Sequence, residues 1–128
     1  MIQGKPPQRC SDMSGYSLSD IRPSDSGAFL AKAKIQPDSP WFSGHFPGDP
    51  ILPGIAQLLM VSDVIRLAMG RNVNISGVRK VRFRQIIRPD DPLKILVTPV
   101  REDPPTYSFK ILMKEEIACS GVIITDSF

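Results

Sequence analysis

A segment rich in proline and glycine, SGHFPGDPILPG at positions 43–54, constrains the fold of this chain more than any other stretch. Its twelve residues hold three prolines and three glycines, so no regular helix or strand runs through it. Pro53 suits the start of a helix, because the N–H that proline lacks falls among the unpaired donors of the first turn. A helix is predicted over residues 55–69, with Gly70 as its C-terminal signal. Because this helix is apolar almost all round, we expect it to be buried.

Strand patterns lie on both sides of the predicted helix. Before it, Phe29–Ile35 alternates apolar residues with Lys32 and Lys34, as a half-buried strand does. After it, four further strand patterns cover residues 78–87, 93–100, 106–113 and 117–125. We expect an antiparallel meander of these four strands, together with the earlier strand, wrapped around the helix. Phe83 and Phe109 are expected in the core. This arrangement belongs to the α+β class.

The N-terminal residues differ in composition from the rest of the chain. Residues 1–27 are rich in Ser, Asp, Gly and Pro and hold few large apolar side chains, which predicts a flexible arm. The folded domain is then expected over residues 28–128. A chain of 128 residues fits one domain of this size.

Composition excludes several classes of function. No run of about 20 apolar residues is present, and the N-terminus lacks the apolar core of a signal peptide, so we expect a cytoplasmic protein that does not enter a membrane. The net charge of +3 is mild, and no base-stacking aromatic residues accompany it, which argues against nucleic-acid binding. Two cysteines and a single histidine provide no zinc-binding pattern, so no metal or redox cofactor is expected.

The proline–glycine segment carries a resemblance to a known family. Within WFSGHFPGDPILPGIAQL, the residues from Gly44 to Gly54 resemble the active-site segment of the hotdog-fold 3-hydroxyacyl-acyl-carrier-protein dehydratases. Their pattern is GHFPGxPxxPG, followed by the central helix. Downstream, KVRFRQIIRPDDPLKI is similar to a strand and turn of the same family, and GVIIT suits its last strand. The segment PILPGIAQL is most similar to the small dehydratase-like proteins of aryl-polyene-type gene clusters.

The resemblance implies a single hotdog fold, with a central buried helix in a curved antiparallel sheet, and a site at a dimer interface. It also implies dehydration of 3-hydroxyacyl thioesters to trans-2-enoyl thioesters, in fatty-acid or polyene-type biosynthesis. His45 would be the base that removes the α-proton, and the N–H groups of Gly54 and Ile55 would hold the thioester oxygen. The residue chemistry agrees, since histidine titrates near neutral pH and a helix start offers unpaired N–H groups. Alternatively, His45 is a structural histidine that caps a backbone carbonyl.

One position departs from the family. The family's second catalytic group is a helix carboxylate fourteen residues after the histidine, and this chain has Leu59 there. Asp63 lies one helical turn later on the same face, so it is either a relocated acid or a structural hydrogen-bonding residue. If it is structural, the chain is an impaired enzyme, or a half-site subunit whose heterodimer partner supplies the acid. An acyl-thioester hydrolase on the same fold is a further alternative.

A basic stretch follows the helix. Period-2 alternation places Lys80, Arg82 and Arg84 on one strand face, either as a solvated surface or as a docking site for an acidic acyl-carrier protein. Because sheet edges favour pairing, we expect a homodimer or a larger assembly of dimers.

Overall fold

The described part of the chain comprises one helix and six strands in a single sheet. The computed structural model describes residues 16–24, 27–37, 39, 51–70 and 72–126. Their elements are β1 (Tyr16–Pro23), β2 (Phe29–Ile35), α1 (Gly54–Met69), β3 (Ile75–Phe83), β4 (Leu93–Glu102), β5 (Pro105–Met113) and β6 (Glu116–Thr125). Every pairing within the sheet is antiparallel. The predicted α+β class is therefore confirmed.

The strand order corrects the predicted four-strand meander. The sheet runs β1-β2-β4-β5-β6-β3, so β3 lies at the edge beside β6 and not beside β4. The segment between β3 and β4 crosses the end of the sheet. The N–H of Arg84 donates to Ala118 of β6, and that of Asp90 donates to Ile35 of β2. Alternation identifies a strand from local sequence, but it carries no information about which strand lies beside it.

The predicted flexible arm is wrong for residues 16–23, which form the edge strand β1. Its register places Tyr16 opposite Ile35 and Leu18 opposite Ala33. Tyr16 and Leu18 are fully buried and belong to the core cluster. Two large apolar side chains in alternate positions are enough to dock an edge strand, although the polar residues around them hide the pattern. Residues 1–15 lie outside the described part of the chain.

The helix begins and ends close to the predicted positions. Pro53 is its N-cap, and Gly70 is the C-cap in the left-handed conformation with φ of 71°. The N–H of Gly70 donates to Arg66 O at 2.9 Å, which satisfies one of the last helical carbonyls. No described helix is both long and apolar enough to cross a membrane.

The prediction that α1 is buried all round is wrong for the single chain. The buried side of the helix consists of Ala56, Gln57, Met60, Val61, Val64 and Ile65. On the other side, Ile55 is 59% exposed and Leu59 is 39% exposed. The sheet of one chain covers one face of the helix, so an apolar face is left open to solvent.

Candidate active site

The start of α1 offers two unpaired backbone donors. The N–H groups of Ala56 and Gln57 both donate to Pro53 O, at 3.1 and 3.3 Å. The N–H groups of Gly54 and Ile55 have no acceptor among the residues that the structure describes. A helix N-terminus carries a partial positive charge, so these two groups form a site for a developing negative charge. The two residues predicted as oxyanion donors thus have no acceptor in the described part of the chain, and their role stays a prediction.

A phenyl ring lies directly on Gly54. A Cβ at this position would approach Phe83 Cζ to 2.7 Å, which is closer than real Cβ atoms come. Glycine is therefore required for the ring to lie where it does. Phe83 is 53% exposed, so the prediction that it belongs to the core is wrong, whereas Phe109 is buried as predicted. Phe83 faces inward on an edge strand, where the sheet of one chain no longer covers it.

An open groove of about 290 Å³ lies at this end of the helix. It is lined by Ile51, Leu52, Gly54, Gln57, Phe83, Arg84, Gln85 and Ile86. Its position is fixed by the backbone of Leu52, whose N–H donates to Ile87 O at 2.8 Å. The groove thus joins the helix start to the segment that follows β3.

Gln57 is the one polar residue on the buried side of the helix. It is 4% exposed, and its Nε2 donates to Leu52 O at 3.4 Å, near the upper limit for a hydrogen bond. Its Oε1 is buried and has no hydrogen-bond partner. Leaving a buried acceptor unpaired costs about 1–3 kcal/mol. Its signal in the sequence is a polar side chain three positions after Gly54 in an otherwise apolar helix.

Asp63 is held by two other side chains. Tyr16 Oη donates to its Oδ2, and Arg66 Nη2 donates to its Oδ1 at 3.1 Å. At a rise of about 1.5 Å per residue, Asp63 lies about 13 Å along the helix axis from Gly54, whereas Leu59 lies about 8 Å away. Both carboxylate oxygens already accept hydrogen bonds, and one of them joins the helix to β1. These contacts favour the structural alternative for Asp63.

Lys80, Arg82 and Arg84 do not share one face of a regular strand, contrary to the prediction from period-2 alternation. Lys80, Arg82 and Arg84 are all exposed, but the register shifts between Arg79 and Arg82, and Lys80 has φ of 57°. Arg82 pairs with Ser120 and Arg79 with Val122, so Lys80 lies within a bulge of β3. Arg84 lies beyond the end of β3. A bulge adds one residue to one strand only, so simple alternation cannot be extended through it.

The predicted catalytic base, His45, is a residue that the structure does not describe. His45 and the rest of the GHFPG motif lie outside the described residues, as does Cys10.

Cys119 lies in the core on β6, where burial raises the pKa of its thiol to about 11. Because a thiolate is the reactive form of cysteine, Cys119 is not a nucleophile at neutral pH.

A comparison with known protein families identifies the family of this chain. Residues 21–122 match the family model of the ApeI-like proteins, described as ApeI dehydratase. The chain belongs to this family. The match begins within β1 and ends within β6, so it covers part of these two strands and all the elements between them.

Similar proteins include a curated dehydratase and solved structures. The chain is 34% identical over 76 residues to the 3-hydroxyacyl-(acyl-carrier-protein) dehydratase FabZ of Latilactobacillus sakei, a match that covers 54% of each protein. The chain thus spans about half the length of that relative. One solved neighbour is the dehydratase heterocomplex ApeI:P from Xenorhabdus doucetiae, with a TM-score of 0.71 and 21% identity over 86% of this chain and 96% of that one.

A second solved neighbour is a hypothetical thioesterase with coenzyme A from Streptococcus pneumoniae. Its TM-score is 0.62, with 12% identity over 86% of this chain and 83% of that one. At this identity the likeness concerns the fold alone. The helix against a six-stranded antiparallel sheet, shared with these neighbours, confirms the predicted hotdog fold.

Proposed function

We propose that this chain takes part in dehydrating 3-hydroxyacyl thioesters, carried on an acyl-carrier protein, to trans-2-enoyl thioesters. The observation that supports it most is the pair of free N–H groups at Gly54 and Ile55, beside an open groove. Membership of a dehydratase family and the FabZ relative support the reaction class. The proposed reaction consists of proton transfers and requires no metal or cofactor.

The proposed reaction has two proton transfers. His45 removes a proton from C2 of the thioester, and negative charge develops on the thioester oxygen. The N–H groups of Gly54 and Ile55 donate to that oxygen, where a prepositioned dipole stabilises charge without reorganising. The C3–O bond then breaks, and the hydroxyl takes up a proton from an acid and leaves as water.

The source of that acid separates two versions of the function. Leu59 cannot transfer a proton, and Asp63 already accepts hydrogen bonds from Tyr16 and Arg66. This favours a second version, in which the chain is a half-site subunit that supplies His45 and the helix start while a partner supplies the carboxylate. The neighbour from Xenorhabdus doucetiae is a dehydratase heterocomplex, which is consistent with such an arrangement.

An unpaired sheet edge supports association with a second subunit. β3 pairs with β6 on one side, and no described strand lies on its other side. It carries the exposed apolar side chains of Ile75, Val78 and Phe83, and Ile55 and Leu59 are exposed on the helix. We propose that a second subunit, either a copy of this chain or a related one, covers this surface.

The carrier protein is proposed to dock on the basic residues near the groove. Lys80, Arg82 and Arg84 are exposed, and Arg84 lines the groove itself. Acyl-carrier proteins are acidic, so opposite charge would steer the encounter and orient the thioester arm.

The proposal is tested by following enoyl absorbance with short-chain 3-hydroxyacyl-carrier-protein thioesters. We expect His45→Ala to lower turnover by about 10²–10⁴-fold, the usual effect of losing an acid–base group. Circular dichroism of the variant checks that it still folds. Free thiol is measured in the same samples, and its release without enoyl product would identify a hydrolase instead. If wild type turns the substrate over and His45→Ala does so equally fast, His45 is not the base.

A further inference from the structure

The unpaired oxygen of Gln57 needs an explanation. Native proteins leave few buried polar atoms without a partner, and exceptions often mark a functional site. Gln57 is 4% exposed, and its Oε1 has no partner among protein atoms. Gln57 also lines the groove that contains Gly54. A buried acceptor therefore lies in the wall of the site where two free donors are found.

The helix places this acceptor on the same side as those donors. Gln57 is three residues after Gly54, so the two lie on neighbouring positions of one helical face. Helical side chains lean toward the N-terminus, which directs the Gln57 amide back toward the helix start. The site thus offers N–H donors and one carbonyl-type acceptor side by side. Its complement is a ligand with a carbonyl oxygen and, a few atoms away, an O–H or N–H donor.

We propose that Gln57 determines specificity for the 3-hydroxyl group of the substrate, by accepting a hydrogen bond from that hydroxyl while the helix start binds the thioester oxygen. This proposal rests on the proposed dehydration. A thioester without a 3-hydroxyl would leave the Gln57 acceptor unpaired, whereas a 3-hydroxyacyl thioester would satisfy it. Sites that bind a hydroxyl by hydrogen bonding discriminate strongly against analogues that lack it, because a polar group is then left buried and unpaired.

Contact requires a rotation of the Gln57 amide. Oε1 has no exposed surface in the unliganded chain, so the terminal torsion must turn it into the groove. That torsion is soft in glutamine, since terminal sp³–sp² torsions have broad minima. The rotation gives up one hydrogen bond, the 3.4 Å contact from Nε2 to Leu52 O. A ligand hydroxyl replaces this long contact with a bond to an atom that had none.

The test is calorimetric binding of three unreactive ligands to the full chain. The ligands are pantetheine derivatives in which N–H replaces the thioester sulfur, bearing butyryl, 3-hydroxybutyryl or 3-methoxybutyryl groups. Their arms are identical, so differences between them report on the 3-position alone. We expect wild type to bind the 3-hydroxy ligand about ten-fold or more tightly than the other two.

Gln57→Met removes the acceptor at similar side-chain length, and we expect the preference for the 3-hydroxy ligand to fall to about one. Gln57→Leu provides the same comparison with a second side chain, in case the thioether does not pack. Gln36→Met is the matched control, because Gln36 is an exposed glutamine that does not line the groove and whose Nε2 donates to Ser17 Oγ at 3.1 Å. We expect this control to retain the wild-type preference.

The outcomes separate this inference from the proposed function. If all three ligands bind and Gln57→Met leaves their ratio unchanged, Gln57 does not read the hydroxyl and the inference is wrong. If Gln57→Met weakens all three ligands equally, the residue acts on the common arm or on the fold, which also overturns it. If none of the three ligands binds to wild type, the part of the proposed function that places the thioester at the helix start of this chain fails, whatever the role of Gln57.

Discussion

At the scale of single residues, Asp63 on α1 is the position where a catalytic role and a structural role are the two alternatives. Asp63 accepts hydrogen bonds from Tyr16 and Arg66, and these contacts connect α1 to the edge strand β1. Hydrogen bonds to charged groups contribute about 1.5–3 kcal/mol. The ion pair adds little by itself, because partly exposed pairs are weak. We therefore regard Asp63 first as a structural connection across 47 residues of sequence.

Asp63→Asn is expected to lower the free energy of unfolding by about 1–3 kcal/mol. Tyr16→Phe removes the same hydrogen bond from the other side, so the double variant should lose less than the sum of the two. Urea denaturation measures all three. Ser62→Ala, the neighbouring helix position, serves as control. Unchanged stability of Asp63→Asn, combined with lost turnover, would instead identify the aspartate as the relocated acid.

The buried thiol of Cys119 is expected to make the stability of the fold depend on pH in the alkaline range. Burial raises its pKa from 9.0 to about 11, so the folded chain keeps the proton while the unfolded chain releases it. The folded state then binds more protons, and stability falls as the pH rises from about 9 to 11. We expect wild type to lose more stability over this interval than Cys119→Ala does. Denaturation under reducing conditions at pH 8 and pH 10.5 measures the difference, and equal losses would contradict it.

At the scale of elements, Gly121 shows how closely β6 packs on its neighbours. A Cβ there would meet Val81 Cγ2 at 3.0 Å and the Phe109 ring at 3.1 Å. Phe109 is buried, so it has little room to move. The absence of a side chain at Gly121 lets the aromatic ring fill the interior between β5 and β6.

Gly121→Ala is expected to destabilise the fold by about 1–3 kcal/mol, the usual cost of overpacking a core. Gly77→Ala is the matched control, since a Cβ at Gly77 would only touch Ile124 Cδ1 at 3.8 Å. We expect the control to change stability by less than about 0.5 kcal/mol. Thermal unfolding of both variants provides the measurement. Equal effects at the two glycines would contradict the packing described around Gly121.

Sequence predicted the elements where the signals are local. Pro53 and Gly70 fix the helix ends within one residue, and the lysines of β2 mark its outer face. The edge strand β1 was missed, because only Tyr16 and Leu18 carry its apolar pattern. The place of β3 beyond β6 and the bulge at Lys80 depend on pairing with distant residues, which periodicity does not encode.

Some features of the candidate site can also be predicted from local sequence, whereas others cannot. The free donors at Gly54 and Ile55 follow from the position of Pro53, so the sequence predicts them. The partners of Asp63, the ring of Phe83 on Gly54 and the unpaired oxygen of Gln57 arise from contacts between elements. Such contacts require the folded chain.

At the scale of the whole molecule, one surface is unlike the rest. Among the exposed large apolar residues that the structure describes, all except Val100 lie on β3, just after it, or in the first half of α1. Exposed apolar surface beside an unpaired strand is typical of a protein interface. The molecule is therefore expected to function as part of a dimer.

Sedimentation is expected to give a mass twice the 14.2 kDa of one chain, if a second copy covers β3. Val78→Lys should weaken this dimer by at least ten-fold in its dissociation constant, because a charge would be buried in the interface. Val100→Lys is the control, since Val100 is comparably exposed but lies on β4. Equal effects of the two variants would place the interface elsewhere. A monomer at all concentrations would mean that this chain needs a different partner.

The most direct test of the half-site proposal is the turnover of Leu59→Glu. This substitution restores a carboxylate fourteen residues after His45, and Leu59 is exposed enough to accept a charge. We expect turnover of a 3-hydroxyacyl-carrier-protein thioester to rise by about 10²-fold or more over wild type, and Leu59→Gln, the uncharged control, to give no gain. Efficient turnover by wild type that is unaffected or lowered by Leu59→Glu, and abolished by Asp63→Asn, would contradict the proposal.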